Sequence, residues 1–161
     1  MTTPELACVR MQGVPVRLWQ LSQEHSDELL REFMLIAAER RRSHSDHDVP
    51  QRLTALIDEL NSQYAGFSEA NEGLLGDAAA AGLDSIDLVY EIPAAVADAA
   101  TRLGDLLDAA DDYCRRGEHL LTLATPAPQV AFRRWFLNEF VRQIAGEPPL
   151  PWPDYAEQVR I

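Results

Sequence analysis

Lysine is absent from this chain: all 14 basic residues are arginine, and they face 26 acids, for a formal charge of −12. So acidic a chain repels phosphate backbones and anionic lipid, and neither nucleic acid nor a membrane surface is expected as a partner. Cysteine is scarce. Cys8 and Cys114 stand far apart with no CxxC companion, and two thiols are expected in place of a structural disulfide. Long apolar runs are missing: nothing approaches the roughly 18 consecutive apolar residues of a membrane helix. The opening Met1–Glu5 has no basic region leading into an apolar stretch, so no secretory signal is expected and the chain is expected in the cytoplasm. Catalytic signatures are missing as well. There is no Gly-x-Ser-x-Gly elbow, HExxH, P-loop or GxGxxG, the patterns that mark nucleophile, zinc and nucleotide chemistry.

What is there suits one globular domain. The chain has 161 residues, 47% hydrophobic and 25% charged, enough to bury a core without metal or disulfide staples. Its acids are bunched. Eleven of them, with Arg102 as the one base, fall between Gly66 and Asp112, so this stretch carries nearly all of the net charge. Such an asymmetry predicts an acidic face that repels anions or receives a basic partner.

Apolar spacing predicts five helices. The first opens at Val14-Pro15 and carries Leu18, Leu21, Leu29, Phe33 and Ile36 on one row, with Trp19, Leu30, Met34 and Ala37 on a neighbouring one, as a wide buried stripe, before ending in Glu39–Arg42. A loop over Ser43–Asp48 follows. Asp48 and Pro50 start a second helix, with Leu53, Leu56, Ile57, Leu60 and Tyr64 inward and Gly66 as its stop. A third, shorter helix is capped by Ser68 and ends at Gly82. Ile86, Leu88, Tyr90 and Ile92 alternate with polar or exposed-type neighbours, the mark of a strand within residues 84–92, and Cys8–Met11 is its partner of choice. Pro93 opens a fourth helix that reaches Arg116, and Asp98, Asp105, Asp108 and Asp112 fall opposite its apolar face. After an apolar connector over His119–Ala124, Thr125-Pro126 opens a fifth helix rich in Phe. Glu147–Pro153 reads as polyproline II. The expected architecture is a mainly α bundle with at most a small β element, in one domain over residues 1–146 with a proline-rich tail over 147–161.

Several groups could carry function. His25 lies in the apolar row of helix one, where it is either a general base or a satisfied core-edge histidine. His44, Asp46, His47 and Asp48 have the donor types of a divalent-metal site, but no second ligand pair answers them. Asp108, Asp111 and Asp112 resemble a fragment of a magnesium-binding run, and solvent is the expected neighbour of such a helix face. Arg133, Arg134 and Arg142 flank Trp135 and Glu139, a pairing of residue types common at binding hot spots and also at buried helices flanked by extended arginines. Trp152 and Tyr155 in the tail would either anchor a partner or fold back on the core.

The runs Val16-Arg17-Leu18, Gln23–Phe33, Leu121–Pro126 and Phe132–Phe140 together resemble a group of small actinobacterial proteins associated with genes for anti-sigma-factor kinases and partner-switching phosphatases. The resemblance implies a regulatory protein that works through protein contacts. It carries over no site residues.

The expected function is therefore a non-enzymatic regulatory or adaptor protein in stress or sigma-factor signalling. No metal and no cofactor are expected. The expected contact surface joins Glu24, Asp27, Glu28 and Arg31 of helix one to Arg133, Arg134 and Trp135, with Trp152 as a further anchor. A protein is the expected partner, and a second copy of the chain is admissible. Two alternatives stand beside this reading: a metal-dependent enzyme built on His25, His44 and His47, and a small-molecule sensor with a pocket inside the bundle.

Overall fold

A computed structural model describes residues 3–40, 49–117 and 124–161. Strand β1 (Leu6–Pro15) leads into helix α1 (Val16–Arg40). Helix α2 (Val49–Ala80), strand β2 (Ser85–Pro93), and helices α3 (Val96–Arg116), α4 (Ala127–Ile144) and α5 (Trp152–Val159) follow in order. The architecture is a mainly α bundle with one small sheet, as the apolar spacing predicts.

β1 and β2 pair antiparallel, from Leu6 opposite Pro93 to Pro15 opposite Ser85, with the register shifting between Met11 and Val14. The period of two sends Val9, Met11, Val14, Leu88, Tyr90 and Ile92 to the buried face, while Cys8, Arg10, Val89 and Glu91 face outward. The shift coincides with Gly13, whose φ of +68° few other residues tolerate. Its amide donates to Asp87 Oδ1 at 2.7 Å.

The buried sheet face meets the aromatic side of α4. Phe132, Trp135 and Phe140 join Leu75 of α2 and Val96 and Ala100 of α3 in one core. Tyr90 packs edge-on to Phe140 with ring centroids 5.2 Å apart. A second core lies further along the bundle, where Leu29 and Phe33 of α1 meet Leu53 and Leu56 of α2 and Leu106, Ala110 and Cys114 of α3. Each fully buried large side chain in these layers contributes about 1.5–3 kcal/mol.

Several element boundaries need correction. The second and third helices are one: α2 runs unbroken through Gly66, Gly73 and Gly76. Ser68 is no cap, since its hydroxyl bonds back to the Ala65 carbonyl at 3.3 Å inside the helix. Gly82, at φ +71°, ends the turn beyond it. Next, Val14-Pro15 stays in β1, and the first helix opens one residue later; likewise Pro93 closes β2, and the helix it was expected to open starts at Val96. Finally, the proline-rich stretch is extended only to Pro151, and Trp152-Pro153 begin α5, because proline fits the first helical turn. The described residues thus hold five helices, but with different members from those expected.

The C-terminal segment is bound to α4. Trp135 donates its indole N–H to the Leu150 carbonyl at 2.8 Å, and the Leu150 amide donates to Glu139 Oε2 at 3.0 Å. Glu139 is 1% exposed. Its carboxylate also accepts from Arg142 and from Gln143 Nε2, so the buried charge is fully partnered. Trp152 lies half-buried with its ring 5.5 Å from Trp135 and 5.9 Å from Phe132.

Candidate functional site

The four α1 residues expected at a contact surface share one exposed stripe. Glu24, Asp27, Glu28 and Arg31 all face outward, as steps of three and four along a helix require. Leu29, Phe33 and Ala37 on the opposite side are buried. The stripe continues into apolar side chains: Met34, expected in the buried row with Trp19, Leu30 and Ala37, is 63% exposed, and Leu35 beside it is 59% exposed. Among the described residues α1 therefore has two faces, one in the core and one that runs from charged side chains to the exposed Met34 and Leu35.

Arg133, Arg134 and Trp135 do not join that surface together. Consecutive helix residues diverge by about 100°, so three in a row cannot share a face. Trp135 is 1% exposed and belongs to the core. The side chain of Arg133 is 13% exposed, with Nη2 at 2.6 Å from Asp108 Oδ1 and 3.0 Å from Asp111 Oδ2. Only Arg134 stays at the surface, 3.4 Å from Asp108 Oδ1.

Asp111 also departs from expectation. The aspartates of α3 were expected in solvent, yet Asp111 is 3% exposed. Besides Arg133, its Oδ1 accepts from the Thr125 amide at 3.0 Å and from the Thr125 hydroxyl at 2.7 Å. Asp111 thereby ties α3 to the start of α4. Asp112 is exposed and pairs with Arg115.

The same hydroxyl meets His25 Nε2 at 3.3 Å. Thr125 has one hydroxyl hydrogen, and Asp111 receives it. The His25 ring must then donate from Nε2. This order, imidazole to hydroxyl to carboxylate, is not that of an activated nucleophile, where the hydroxyl gives its proton to the ring. Thr125 is held by its neighbours and is not primed by them. Nor do the acids gather at a cation site. Asp108 and Asp111 are committed to Arg133, and no group of three or more His, Cys, Asp or Glu among the described residues could hold a metal ion. His44, Asp46, His47 and Asp48, the metal candidates, lie outside the described residues, as do His119–Leu123 of the connector.

Both cysteines are free. Burial, with the Asp111 charge adding to it, pushes the Cys114 thiol up to about 11, so it is a poor nucleophile at neutral pH. Burial likewise pushes the Tyr90 phenol far above its ordinary range, and the Glu72 carboxylate adds to the effect.

Among the cavities between the described helices, two share a wall on α4. One, of about 150 Å³, is lined by Ser22, His25, Leu107, Thr125, Gln129 and Arg133 among others. The other, of about 260 Å³, is lined largely by apolar and aromatic groups, including Trp19, Tyr64, Tyr90 and Phe140. Phe132, Phe136 and Leu137 form walls of both. Sequence reasoning admitted a pocket inside the bundle but named none of its lining, because these residues lie about a hundred positions apart in the chain. The one signal within reach was the polar interruption Ser22–Ser26 in the apolar row of α1.

No helix among the described residues is long and apolar enough to cross a membrane. Compared with known protein families, curated proteins and solved structures, the chain matches none.

Proposed function

We propose that this chain is a non-enzymatic regulatory protein that acts by docking the outer face of α1 on a protein partner. The observation that carries this reading is the alignment of Met34 and Leu35, each more than half exposed, with Glu24, Asp27, Glu28 and Arg31 on one helical stripe. Exposed apolar side chains next to charged ones are the materials of a protein interface. Acids outnumber the single arginine on that stripe, which favours a partner with a basic rim. Trp135 is no part of this surface, and Trp152 serves the chain's own core. The resemblance to proteins of partner-switching modules supports the same reading and suggests an anti-sigma-factor kinase or its opposing phosphatase as the partner.

The test is capture from a native lysate of the source cell, comparing the full chain with its Met34→Asp/Leu35→Asp variant. A partner retained by the first and lost by the second supports the reading, provided far-UV circular dichroism shows α1 intact. Equal capture by both overturns it. A second copy of the chain is the competing occupant of the patch. A dimer mass that the double substitution halves would assign the face to self-association.

A further inference from the structure

Tyr90 is 4% exposed and packs its ring against Phe136 and Phe140, yet its hydroxyl makes no hydrogen bond among the described residues. A buried phenol normally finds a partner. The polar atoms sealed in without a partner, among the described residues, are Ser22 Oγ, Gln129 Oε1 and Arg133 Nε. The Tyr90 hydroxyl is not of that set, so it keeps surface that a small molecule touches. It opens on the interhelical cavity of about 260 Å³, whose wall Tyr90 shares with Glu72. Glu72 acts on this phenol, second to burial, in holding its proton, which puts the hydroxyl end of Tyr90 within electrostatic reach of that carboxylate.

The whole lining narrows the class of occupant. Trp19, Leu75, Ile92, Val96, Phe132 and Phe140 make the hollow mainly apolar and aromatic. Its polar members are Gln23, Asn61, Tyr64, Ser68, Glu72 and Tyr90. The Ser68 hydroxyl is committed to the Ala65 carbonyl. The amides of Gln23 and Asn61 and the phenols of Tyr64 and Tyr90 both donate and accept, so these four favour neither sign of charge. Glu72 is the one charged group in the lining, and no ion pair among the described residues includes it. An anion entering here meets a carboxylate and no cation. An ammonium group is drawn to Glu72, its N–H groups donate to the Tyr90 oxygen, and aromatic neighbours favour it further. A cavity of about 150 Å³ takes one benzene, and this larger one adds room for a short chain.

We propose that this cavity binds a small organic ammonium compound, its single aromatic ring among the apolar side chains and its ammonium head directed at the Tyr90 hydroxyl and the Glu72 carboxylate. The site is separate from the outer stripe of α1 and does not depend on that stripe being an interface.

The test titrates the full chain at neutral pH with phenethylammonium, phenethyl alcohol, hydrocinnamate and ethylammonium, read by amide ¹H–¹⁵N shifts. The first three carry one ring with a cationic, neutral or anionic head, and the last is the charge without the ring. Phenethylammonium is expected to shift amides within residues 60–75, 90–100 and 132–140. It should bind about five-fold more tightly than the alcohol, the scale of an ion pair with an exposed carboxylate, with hydrocinnamate weakest and ethylammonium without effect on those amides. Glu72→Gln should bring ammonium and alcohol to equal affinity. Tyr90→Phe deletes the hydroxyl alone and should weaken both by about five-fold, while the free chain, losing no hydrogen bond, unfolds at the same or a higher temperature. Tightest binding by the anion or the alcohol, or a preference for the ammonium that survives Glu72→Gln, overturns the assigned charge. Affinities unchanged by Tyr90→Phe, or a lower unfolding temperature for that variant, overturn the role of the hydroxyl. No shift with any ringed compound, or equal shifts with ethylammonium, overturns the site itself.

Discussion

The side-chain amide of Gln143 closes on both backbone groups of Arg10: the Arg10 amide donates to Gln143 Oε1 at 2.8 Å, and Gln143 Nε2 donates to the Arg10 carbonyl at 2.7 Å. Across the sheet, Val89 is the partner of Arg10 in the register, and its carbonyl accepts from Asn71 Nδ2 at 2.9 Å. Both outer edges of this two-stranded sheet are thus capped at the same rung by amides, one from α4 and one from α2. An uncapped edge is a template for further pairing, so the caps stand in for missing strands.

The two caps differ in exposure, and the difference sets an order of effects. Asn71 is buried, so Asn71→Ala strands a carbonyl and is expected to cost about 1–3 kcal/mol. The Gln143–Arg10 bonds are exposed. Water replaces them in Gln143→Ala, for an expected cost of about 1 kcal/mol or less. Urea unfolding of both variants checks the order, and an equal or reversed order contradicts it.

Gly13 joins the sheet to α5. An added Cβ there would sit 3.0 Å from Pro153 Cδ, and the backbone is at φ +68°. Gly13→Ala is expected to destabilise by about 1–2 kcal/mol from the left-handed backbone alone, with the Pro153 clash on top. Adding Pro153→Ala should recover the clash and leave the backbone cost. A thermodynamic cycle over the two positions reads the coupling, and simple additivity would contradict the contact.

Arg133 is the only cation paired with the buried Asp111 among the described residues. Arg133→Met strands that carboxylate with the Thr125 hydrogen bonds alone, and the expected loss is about 3–5 kcal/mol. Arg133→Met/Asp111→Leu removes both charges and is expected to be clearly less destabilised than the sum of the single changes. Additive losses in denaturant unfolding would mean that the pair is not coupled.

Alkaline pH should weaken the fold. The thiol of Cys114 is raised from 9.0 to about 11, and Tyr90 and Tyr155 are raised as well, chiefly by burial. Each group holds its proton longer in the folded state than in the unfolded state. Stability is therefore full below pH 9 and falls as pH rises through the Cys114 value. Urea midpoints between pH 8 and 11 measure the fall, and Cys114→Ala should reduce its portion that begins near pH 9. A flat profile would contradict the burial of these groups.

The fold was legible where one element's periodicity carried the information. The inner row of α1 from Leu29 to Phe33 and the alternation from Ile86 to Ile92 point inward as read. Legibility failed where a distant contact outweighed a local signal. Gly66 reads as a stop, but an added Cβ there would meet nothing within 4 Å, and the flanking Tyr64 and Phe67 pack against the sheet-side core. Tertiary packing carries the helix across a weak residue. Asp111 reads as solvent-facing because the wheel of α3 contains no trace of Arg133, 22 positions away. The candidate surface divides the same way: its α1 half follows from steps of three and four, whereas Arg133 and Trp135 were grouped by adjacency, which a helix disperses.

The central claim is that the outer stripe of α1 is where a partner docks. Hydrogen exchange of the chain, alone and with its captured partner added back, tests this most directly. Slowed exchange concentrated across residues 24–35 is the predicted result. Protection elsewhere, with those amides exchanging as in the free chain, would contradict it.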